Sequence, residues 1–346
     1  MVFPSLPMLV RTTSDIPESQ QHNKKHQWKC ITLELLHACF GHHSCHSLLT
    51  ASNHNVWQDI TIWMATNAEC VSCKISTVWT SAWKCVLLTP CSAPGKIIYM
   101  DILPAPCDIG LTPKTAFTHM IIFVDAFSMF SCITGLHDKS SDAVAVAIRQ
   151  FASSYGLVDT FGFLNINKVK VNASTQFTSV EFKAHCHDQG LKLSLMAPKY
   201  QSENHFAKST WQSIQCMVQG MLVHAHLPDS YLFYALTCAA AISNILPIRN
   251  LVDAEGAVAT PSLLFLGFKP LVSPFWVYGC PCVAKKWSIQ VDGKTIDNHN
   301  DMQCGIQCIF VSFLEAQKGH LLFVPSSSQL LYLVLLSSMR CSFLPL

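Results

Sequence analysis

The stretch KIIYMDIL at Lys96–Leu103 is followed by a second β-rich run, MIIFVDAF at Met120–Phe127. Both runs concentrate the β-branched and aromatic residues that strands favour. A third run, Phe130–Leu136, can pair with the second as a hairpin or meander. Because the three runs lie too close together for helical crossovers, which need about a dozen or more residues, we expect them to pair antiparallel.

Helices and strands alternate after these runs. Lys168–Asn172 (KVKVN) and Leu191–Leu195 alternate like strands, with a short helix at Ser179–Asp188 between them. An earlier helix has apolar residues at helical spacing: Val144, Ile148, Phe151 and Tyr155. Two long helices follow, the second over about Asp229–Leu246, and the first has this apolar stripe: Ala207, Trp211, Ile214, Val218 and Met221. This order predicts a mixed α/β layer fold whose last two strands are added in parallel through helices.

Short β-rich runs return after the loop that spans residues 247–261. They are Phe275–Tyr278, Ile306–Phe313, His320–Val324 and Leu330–Leu336. Several short strands in succession are typical of small barrels. We therefore expect a small β barrel at this end of the sequence.

The composition is that of a globular protein. Of 346 residues, 50% are hydrophobic and 13% are charged, against about 25% charged in an average soluble domain. Such a chain is too apolar to stay disordered, and its length allows about two or three domains. The formal net charge of +2 excludes a strongly basic protein that binds nucleic acid through its overall charge.

Cysteine use and the first residues favour an intracellular protein, in the cytoplasm or nucleus. The 17 cysteines are an odd number and fall below the roughly 8–10% of disulfide scaffolds. Met1–Val10 is interrupted by Pro4 and Pro7 and lacks a basic region, so it makes a poor signal peptide. The longest apolar stretches, Tyr231–Leu246 and Leu330–Leu336, are broken by polar residues or too short to span a bilayer. We expect no membrane segment.

The segment from Thr32 to Lys74 is dense in His and Cys. His37-x4-His42 and Cys70-x2-Cys73 offer two imidazoles and two thiolates, the ligand set of a tetrahedral structural zinc site. Three neighbours could replace one of these ligands: His43, Cys45 and His46. The alternative is that a Cys-rich chain produces a Cys-x2-Cys pair by chance.

Other residues that could bind metals are less regularly placed. Cys280-x-Cys282 with Cys304-x3-Cys308 could form a second cluster, although strands of a barrel bury cysteines readily. His185, Cys186 and His187 are adjacent on a helix, so they point in different directions. Asp101 and Asp125 stand at expected strand ends, where carboxylates can bind magnesium but more often form turns.

Several motifs resemble the integrase region of copia-type LTR retrotransposon Pol polyproteins. LHACFGH (Leu36–His42) and CVSCK (Cys70–Lys74) resemble the zinc-binding segment that precedes the integrase. The motifs that follow occur in the family's order: Pro94–Ile102, Ile121–Phe130, Val171–Phe182, Leu193–Gln212 and Phe275–Lys286. GIQCIFVSF and GHLLFVPSS look like the family's small SH3-like domain. Together the similarity extends over about residues 30 to 335.

The resemblance implies a domain order and a fold. A leader or linker at 1–30 precedes a pre-integrase zinc-binding segment at 31–80. A ribonuclease-H-like catalytic core with a mixed five-stranded sheet occupies 94–250, and an SH3-like β domain occupies 270–336. The family's chemistry is two-metal phosphodiester transfer, which joins element ends to target DNA and uses two Asp and one Glu.

Two of these three acidic positions are replaced in this sequence. Asp101 matches the first acid, whereas Asn172 and Lys208 occupy the second and third positions, with the family's spacing of 35 residues retained. An amide oxygen is a weak ligand for Mg²⁺, and an ammonium repels the cation. We therefore expect Mg²⁺ to bind poorly and the enzyme to be inactive. Alternatively, Lys208 is an ordinary lysine on the polar face of a helix, with no role in a site.

The resemblance leaves three functions open: an active integrase, an inactive protein that binds nucleic acid, and a non-functional translated relic of a retroelement. DNA binding would use lysines on phosphates, and the candidates are Lys168, Lys170, Lys199, Lys285 and Lys286. A homo-oligomer is a further expectation from the resemblance.

Overall fold

The computed structural model describes residues 29–64, 70–76, 91–109, 117–160, 162–196, 205–248, 251–272, 275–285, 290–291, 294–295, 305–314, 319–327 and 329–334. The expected leader lies outside these residues except for its last two positions. In the described part of the chain, no helix combines the length and apolar character that a bilayer crossing requires.

The N-terminal segment folds around short helices. Its elements are β1 (Lys29–Thr32), α1 (Leu33–Cys39), α2 (Cys45–Asn53), β2 (Ile60–Met64) and α3 (Val71–Ser76). β1 and β2 pair in parallel. The Thr32 hydroxyl caps α1 by accepting the Leu35 N–H, as expected of a helix N-cap. Buried Leu36, Phe40 and Trp57 tie the segment to the rest of the chain.

The central sheet confirms the predicted ribonuclease-H-like topology. β3 (Ile97–Ile109), β4 (Phe117–Asp125) and β5 (Ser131–Leu136) pair antiparallel. β6 (Lys168–Asn172) pairs in parallel with β3, and β7 (Lys192–Met196) pairs in parallel with β6. The order across the sheet is β5-β4-β3-β6-β7. The first strand in sequence therefore lies at the centre, where its two faces are covered.

Helices cover both faces of this sheet. One face packs against α4 (Ser141–Ser154), α5 (Thr175–Thr178) and α6 (Val180–Asp188). The other packs against α7 (His205–Ala225) and α8 (Leu232–Ile245), which a 3₁₀ turn at Asp229–Tyr231 precedes. Because side chains alternate along a strand, the residues of β3 divide between the two layers. Ile98 and Met100 belong to the α4 layer, and Tyr99 belongs to the α7 layer. The short α9 (Pro261–Leu266) follows α8.

The C-terminal strands form a six-stranded antiparallel sheet in the order β10-β9-β13-β12-β11-β8. The strands are β8 (Pro281–Lys285), β9 (Gln290–Val291), β10 (Lys294–Thr295), β11 (Gly305–Leu314), β12 (Gly319–Val324) and β13 (Gln329–Val334). The predicted strand at Phe275–Tyr278 is wrong, because this run is irregular and ends in a turn at Gly279 with φ 78°. Phe275 and Tyr278 are buried next to that turn, which accounts for the apolar character of the run.

One hydrophobic cluster joins the N-terminal segment, the α7–α8 layer and the C-terminal sheet. The Trp57 indole N–H donates to the Ile245 carbonyl at 2.8 Å. The rings of Phe40 and Phe275 lie 5.9 Å apart, and the Tyr278 hydroxyl donates to the Tyr231 carbonyl at 2.9 Å. The expected domains therefore share a core, and their sequence bounds stay a prediction.

Candidate functional site

Four side chains from the N-terminal segment converge in a compact His2Cys2 cluster. His37 lies in the last turn of α1, His42 follows it, Cys70 precedes α3 and Cys73 lies within α3. Their ligand atoms all lie within 4.8 Å of one another, and this is the group of potential metal ligands found among the described residues. The sequence pattern and the structure select the same four residues.

The distances within the His2Cys2 cluster suit a single ion. His37 Nε2 lies 3.1 Å from Cys73 Sγ, and His42 Nδ1 lies 3.2 Å from Cys70 Sγ and 3.3 Å from His37 Nε2. Nitrogen and sulfur ligands arranged tetrahedrally around zinc are separated by about 3.3–3.8 Å, given bond lengths of about 2.0–2.3 Å. The cluster can therefore hold a metal ion with small adjustments of its side chains.

The backbone between the two histidines reverses sharply. Gly41 and His42 have positive φ values of 57° and 62°, a conformation that costs a non-glycine residue energy. The reversal brings His42 back beside His37. Gly41 also lies close to α7, since a Cβ on it would lie 2.9 Å from Met221 Sδ and the Met221 side chain would have to shift.

Hydrogen bonds and burial prepare the two imidazoles as neutral ligands. His37 Nδ1 lies 2.8 Å from the His43 carbonyl, so Nδ1 carries the proton and Nε2 offers its lone pair to the cluster. Burial lowers the pKa of His37. Burial, followed by the neighbouring His224 and His37, lowers the pKa of His42 to about 3. Both rings are therefore neutral at physiological pH.

The Cys73 thiol of the cluster resists ionisation without a cation. Burial, followed by the charge of Cys70, raises the pKa of Cys73 to about 12. A bound divalent ion reverses this effect because it stabilises the thiolates. Cys45, one of the alternative ligands, is exposed, and its Sγ lies 4.0 Å from the outward-facing His37 Nδ1.

Helix α7 packs directly against the His2Cys2 cluster. The His42 and His224 rings lie 4.9 Å apart, and a Cβ on Gly220 would lie 3.2 Å from His42 Cβ. His42 Nε2 is buried with no hydrogen-bond partner among the described residues. The sequence gives no local signal for these contacts because Gly220 and His224 are about 180 residues away along the chain.

A second candidate site surrounds Asp101, which lies within β3 and not at its end as the sequence suggested. Asp101 as a residue is 7% exposed. One oxygen, Oδ1, accepts hydrogen bonds from the Asn172 amide Nδ2 at 3.0 Å and from the Ile102 N–H at 3.1 Å. The Asn172 oxygen in turn accepts a hydrogen bond from the Ser174 hydroxyl at 2.8 Å. Asn172 is thus fixed with its amide donor, not its oxygen, toward Asp101.

Lys208 approaches Asp101 from α7. The helix is docked on β3 by the rings of Tyr99 and Phe206, which lie 4.9 Å apart. Burial raises the pKa of Asp101, and the positive charge of Lys208 partly offsets this effect. Lys208 itself is exposed, and the structure, which describes both residues, gives no direct ion pair between them. Asp101, Asn172 and Lys208 therefore meet on one face of the sheet.

Asp125 does not belong to this centre. It pairs with Ile98, whereas Asp101 pairs with Ile122, and the two pairs face opposite sides of the sheet. Its carboxylate accepts the N–H of Gly95 at 2.8 Å and the N–H and hydroxyl of Ser128 at 2.8 and 2.6 Å. Asp125 closes a turn, which is the alternative reading of its sequence position.

The five candidate DNA-binding lysines are placed unequally. Lys168 and Lys170 lie on the same face of β6 as Asn172. The Lys170 ammonium donates to the Tyr99 hydroxyl at 3.1 Å and lies 5.0 Å from the centre of that ring, a contact that the sequence did not indicate. Lys285 lies in β8, but its side chain is outside the described part. Lys199 and Lys286 are entirely outside it.

The remaining metal-binding candidates differ in outcome. Cys186 is buried in the core while His187 is exposed, so the His185–His187 triplet faces different surroundings. Cys304 lies outside the described residues. Cys282 and Cys308 are buried and directly opposite each other in β8 and β11.

Comparisons with known proteins place these features in a family context. No family model matches the chain. It is 24% identical over 190 residues to the Retrovirus-related Pol polyprotein from transposon TNT 1-94 of Nicotiana tabacum. The match covers 54% of this chain and 13% of that relative, so the chain corresponds to a small part of the relative's length.

Solved integrase structures give low similarity scores. A chain of the simian T-cell lymphotropic virus intasome in complex with PP2A regulatory subunit B56 gamma has a TM-score of 0.39 at 14% identity, covering 72% of this chain and 79% of that one. The catalytic core domain of BIV integrase has 0.36 at 13%, covering 50% and 95%. That of HTLV-2 integrase in complex with magnesium has 0.35 at 18%, covering 50% and 97%.

Three features of this chain carry the similarity: its match to a Pol polyprotein, the order of its motifs, and the strand order of its central sheet. The chain is similar in sequence to a part of a retrotransposon Pol polyprotein, which agrees with the resemblance of its motifs to the integrase region of copia-type elements.

Proposed function

We propose that this chain is an integrase-like protein that binds nucleic acid but does not catalyse strand transfer. The observation that carries the proposal is the hydrogen bond from Asn172 Nδ2 to Asp101 Oδ1. A second carboxylate at this position would leave both oxygens open to metal ions, whereas the amide places a donor there. The defect is therefore local, in a sheet that retains its overall topology.

The donor set around Asp101 does not fit two magnesium ions. Mg²⁺ requires hard, anionic oxygen ligands in near-octahedral geometry. The centre offers one carboxylate with a raised pKa, one amide whose donor occupies the carboxylate, and one ammonium, that of Lys208. A two-metal centre carries four positive charges, so a lysine in the position of an acid adds repulsion where attraction is needed.

Metal-dependent nicking of supercoiled plasmid tests this proposal without knowledge of the element's end sequences. We expect the natural protein to nick no faster with Mg²⁺ or Mn²⁺ than with a chelator. Manganese binding, followed by electron paramagnetic resonance, should appear in the Asn172→Asp, Lys208→Glu double variant and not in either single variant, because the ligands act as a unit. Mg²⁺-dependent nicking by the natural protein that Asp101→Asn abolishes would refute the proposal.

We also propose that the His2Cys2 cluster binds zinc. Two imidazoles and two thiolates favour zinc in a closed structural site. Elemental analysis of the purified protein should give one zinc per chain, and Cys70→Ser and Cys73→Ser should each reduce it. Cys45→Ser is the matched control, since this exposed thiol neighbours His37 outside the four ligands. A chain without zinc, or unaffected by the ligand variants, would contradict the assignment.

We propose that nucleic acid binds the face of β6 that carries Lys168 and Lys170. Lys168, opposite Ile97 in the register, has a partly exposed side chain on the same face of β6 as Asn172. Fluorescence anisotropy with a labelled DNA duplex should show affinity that falls steeply with salt. Lys168→Ala should reduce the slope of log affinity against log salt concentration by about one, the share of a single phosphate contact. Lys183→Ala on α6, behind the sheet, is the control.

The outcomes of this titration separate the competing functions. A cooperative thermal melt together with salt-sensitive binding supports a nucleic-acid-binding protein. A cooperative melt without DNA binding, or a chain that does not melt cooperatively, supports a non-functional relic. Light scattering in the same buffer tests the expected homo-oligomer, which we propose only from the family resemblance.

A further inference from the structure

Two buried thiols face each other across the C-terminal sheet. Cys282 of β8 and Cys308 of β11 are paired in the antiparallel register, and their side chains are 5% and 3% exposed. Directly opposite residues share a face of the sheet, with Cα atoms about 4.5–5.5 Å apart. Disulfides join residues whose Cα atoms are about 4.4–6.8 Å apart, so this pair needs little backbone movement to become linked.

The pair is also prepared chemically. The Cys282 thiol donates a hydrogen bond to Cys308, and this contact lowers the pKa of the Cys308 thiol despite burial, with help from the Ala284 N–H. The Cys308 thiol can itself donate to the Ile306 carbonyl at 3.3 Å. Other buried thiols behave oppositely, because burial raises their pKa: Cys39, Cys238 and Cys280.

The register at the start of β8 is held by neighbouring backbone contacts. The Phe310 N–H donates to the Cys280 carbonyl at 3.0 Å, and the Gly279 N–H donates to the Phe310 carbonyl at 2.9 Å. These contacts lie two or three residues from the thiol pair. They hold Cys282 opposite Cys308 and disfavour pairing with another cysteine through strand slippage.

We propose that Cys282 and Cys308 form a thiol oxidation site that a peroxide converts to a disulfide. The Cys308 thiolate attacks a peroxide oxygen, so that the O–O bond breaks, hydroxide leaves and a sulfenic acid forms on Cys308. The Cys282 sulfur then attacks the Cys308 sulfur, forming the S–S bond and releasing the sulfenic oxygen as water. Two thiols and one hydrogen peroxide yield one disulfide and two waters.

The disulfide would connect the edge strand β8 to β11 and close the 25 residues between the two cysteines. Edge strands open most readily, because only one side of the strand is paired. Local opening of β8 gives peroxide access to a pair that is buried in the closed sheet. Closing a loop of this length restricts the unfolded chain and stabilises the folded form.

Mass spectrometry of the zinc-loaded full chain tests the site. After treatment with hydrogen peroxide, alkylation and digestion, we expect a crosslinked peptide pair that contains Cys282 and Cys308, and its loss after dithiothreitol. The melting temperature should rise by about 5 °C or more on oxidation, given the usual gain from a disulfide. Zinc is kept in the buffer so that the thiols of the His2Cys2 cluster stay protected.

Matched variants decide between this site and general oxidation. Cys282→Ala and Cys308→Ala should each abolish the crosslink and the rise in melting temperature. Cys186→Ala, which removes a lone buried thiol on α6, should leave both unchanged. Oxidised protein in which Cys282 and Cys308 remain alkylatable, or are crosslinked to other cysteines, would overturn the proposal. If one alanine variant fails to fold, the other and the natural protein still give the peptide map.

Discussion

The imidazole of His42 lies against Gly220 of α7, where a Cβ would meet His42 Cβ at 3.2 Å and its ring atoms at 3.3 Å. The two residues belong to parts of the chain that the sequence assigns to different domains. The same helix carries Lys208 in its first turn, beside Asp101. Helix α7 therefore contacts both the His2Cys2 cluster and the centre around Asp101.

The contact predicts that Gly220→Ala weakens metal binding. The added methyl group must displace the His42 side chain, which holds a ligand position. Alanine improves helix propensity by about 1 kcal/mol, so the helix itself should not be destabilised. We expect zinc affinity, measured by competition with a chelating dye, to fall about tenfold, which corresponds to about 1.4 kcal/mol.

Gln219→Ala is the control for this substitution. Gln219 is the neighbouring residue on α7, and its side chain is exposed, so alanine there tests helix propensity without the contact. Equal zinc affinity in the two variants would show that the approach of His42 to Gly220 does not matter for the metal site.

Removal of the metal should loosen the C-terminal half of α7. On α7, Met217 and Met221 pack against Gly41, and Gly220 packs against His42. Because His42 is a ligand in the proposed metal site, binding of the metal should order the turn that contains it. Hydrogen exchange with and without a chelator should show faster exchange in peptides that cover this half of the helix. Peptides from β3 and β4 are the internal reference, and equal protection of α7 in both states would exclude the coupling.

Local patterns predicted the central fold well because each strand and helix expresses its own periodicity. Lys168–Asn172 is a strand with the predicted bounds, and the apolar residues at helical spacing, Val144, Ile148 and Phe151, are buried in α4. The spacing of His37, His42, Cys70 and Cys73 likewise identified the four residues that the structure brings together. By contrast, Phe275 and Tyr278 show the limit of such patterns, because an apolar run is equally consistent with a strand and with a buried turn.

Features that depend on tertiary contacts were not predictable in this way. Gly220 next to His42, and the Lys170 ammonium next to Tyr99, arise when distant segments pack. The two faces of the sheet also separate Asp101 from Asp125, and this separation requires the strand register. Sequence reasoning identifies which residue types are available, whereas the register decides which of them meet.

The turn at Asp125 provides a direct test of its structural role. Asp125→Asn replaces one acceptor oxygen by a donor that must face Gly95 or Ser128, both of which donate to it. A buried clash of donors should cost about 2–3 kcal/mol of stability. Denaturant unfolding is the measurement, with Asp142→Asn, an exposed acid on α4, as the control.

The metal-site interpretation of Asp125 makes a different prediction. If Asp125 contributed to metal binding, Asp125→Asn would change metal content or manganese binding at unchanged stability. A loss of stability without a change in metal content agrees with the turn. No loss of stability would contradict it.

Acid should destabilise the metal-free protein in a defined pH range. Burial lowers the pKa of His42 to about 3, and burial with the charge of His37 lowers that of His43 to about 4, whereas both titrate near 6.5 when unfolded. Below pH 6.5 the unfolded chain therefore binds protons that the folded chain does not, so stability falls as the pH falls. At pH 5 the loss is roughly 1–2 kcal/mol for each imidazole.

Melting temperatures measured in chelator between pH 7.5 and 5 test this loss of stability. His42→Gln should flatten the pH profile, whereas His187→Gln, at an exposed position, should not. A profile that is flat in the natural protein, or equally steep in His42→Gln, would show that these buried imidazoles do not set the acid sensitivity.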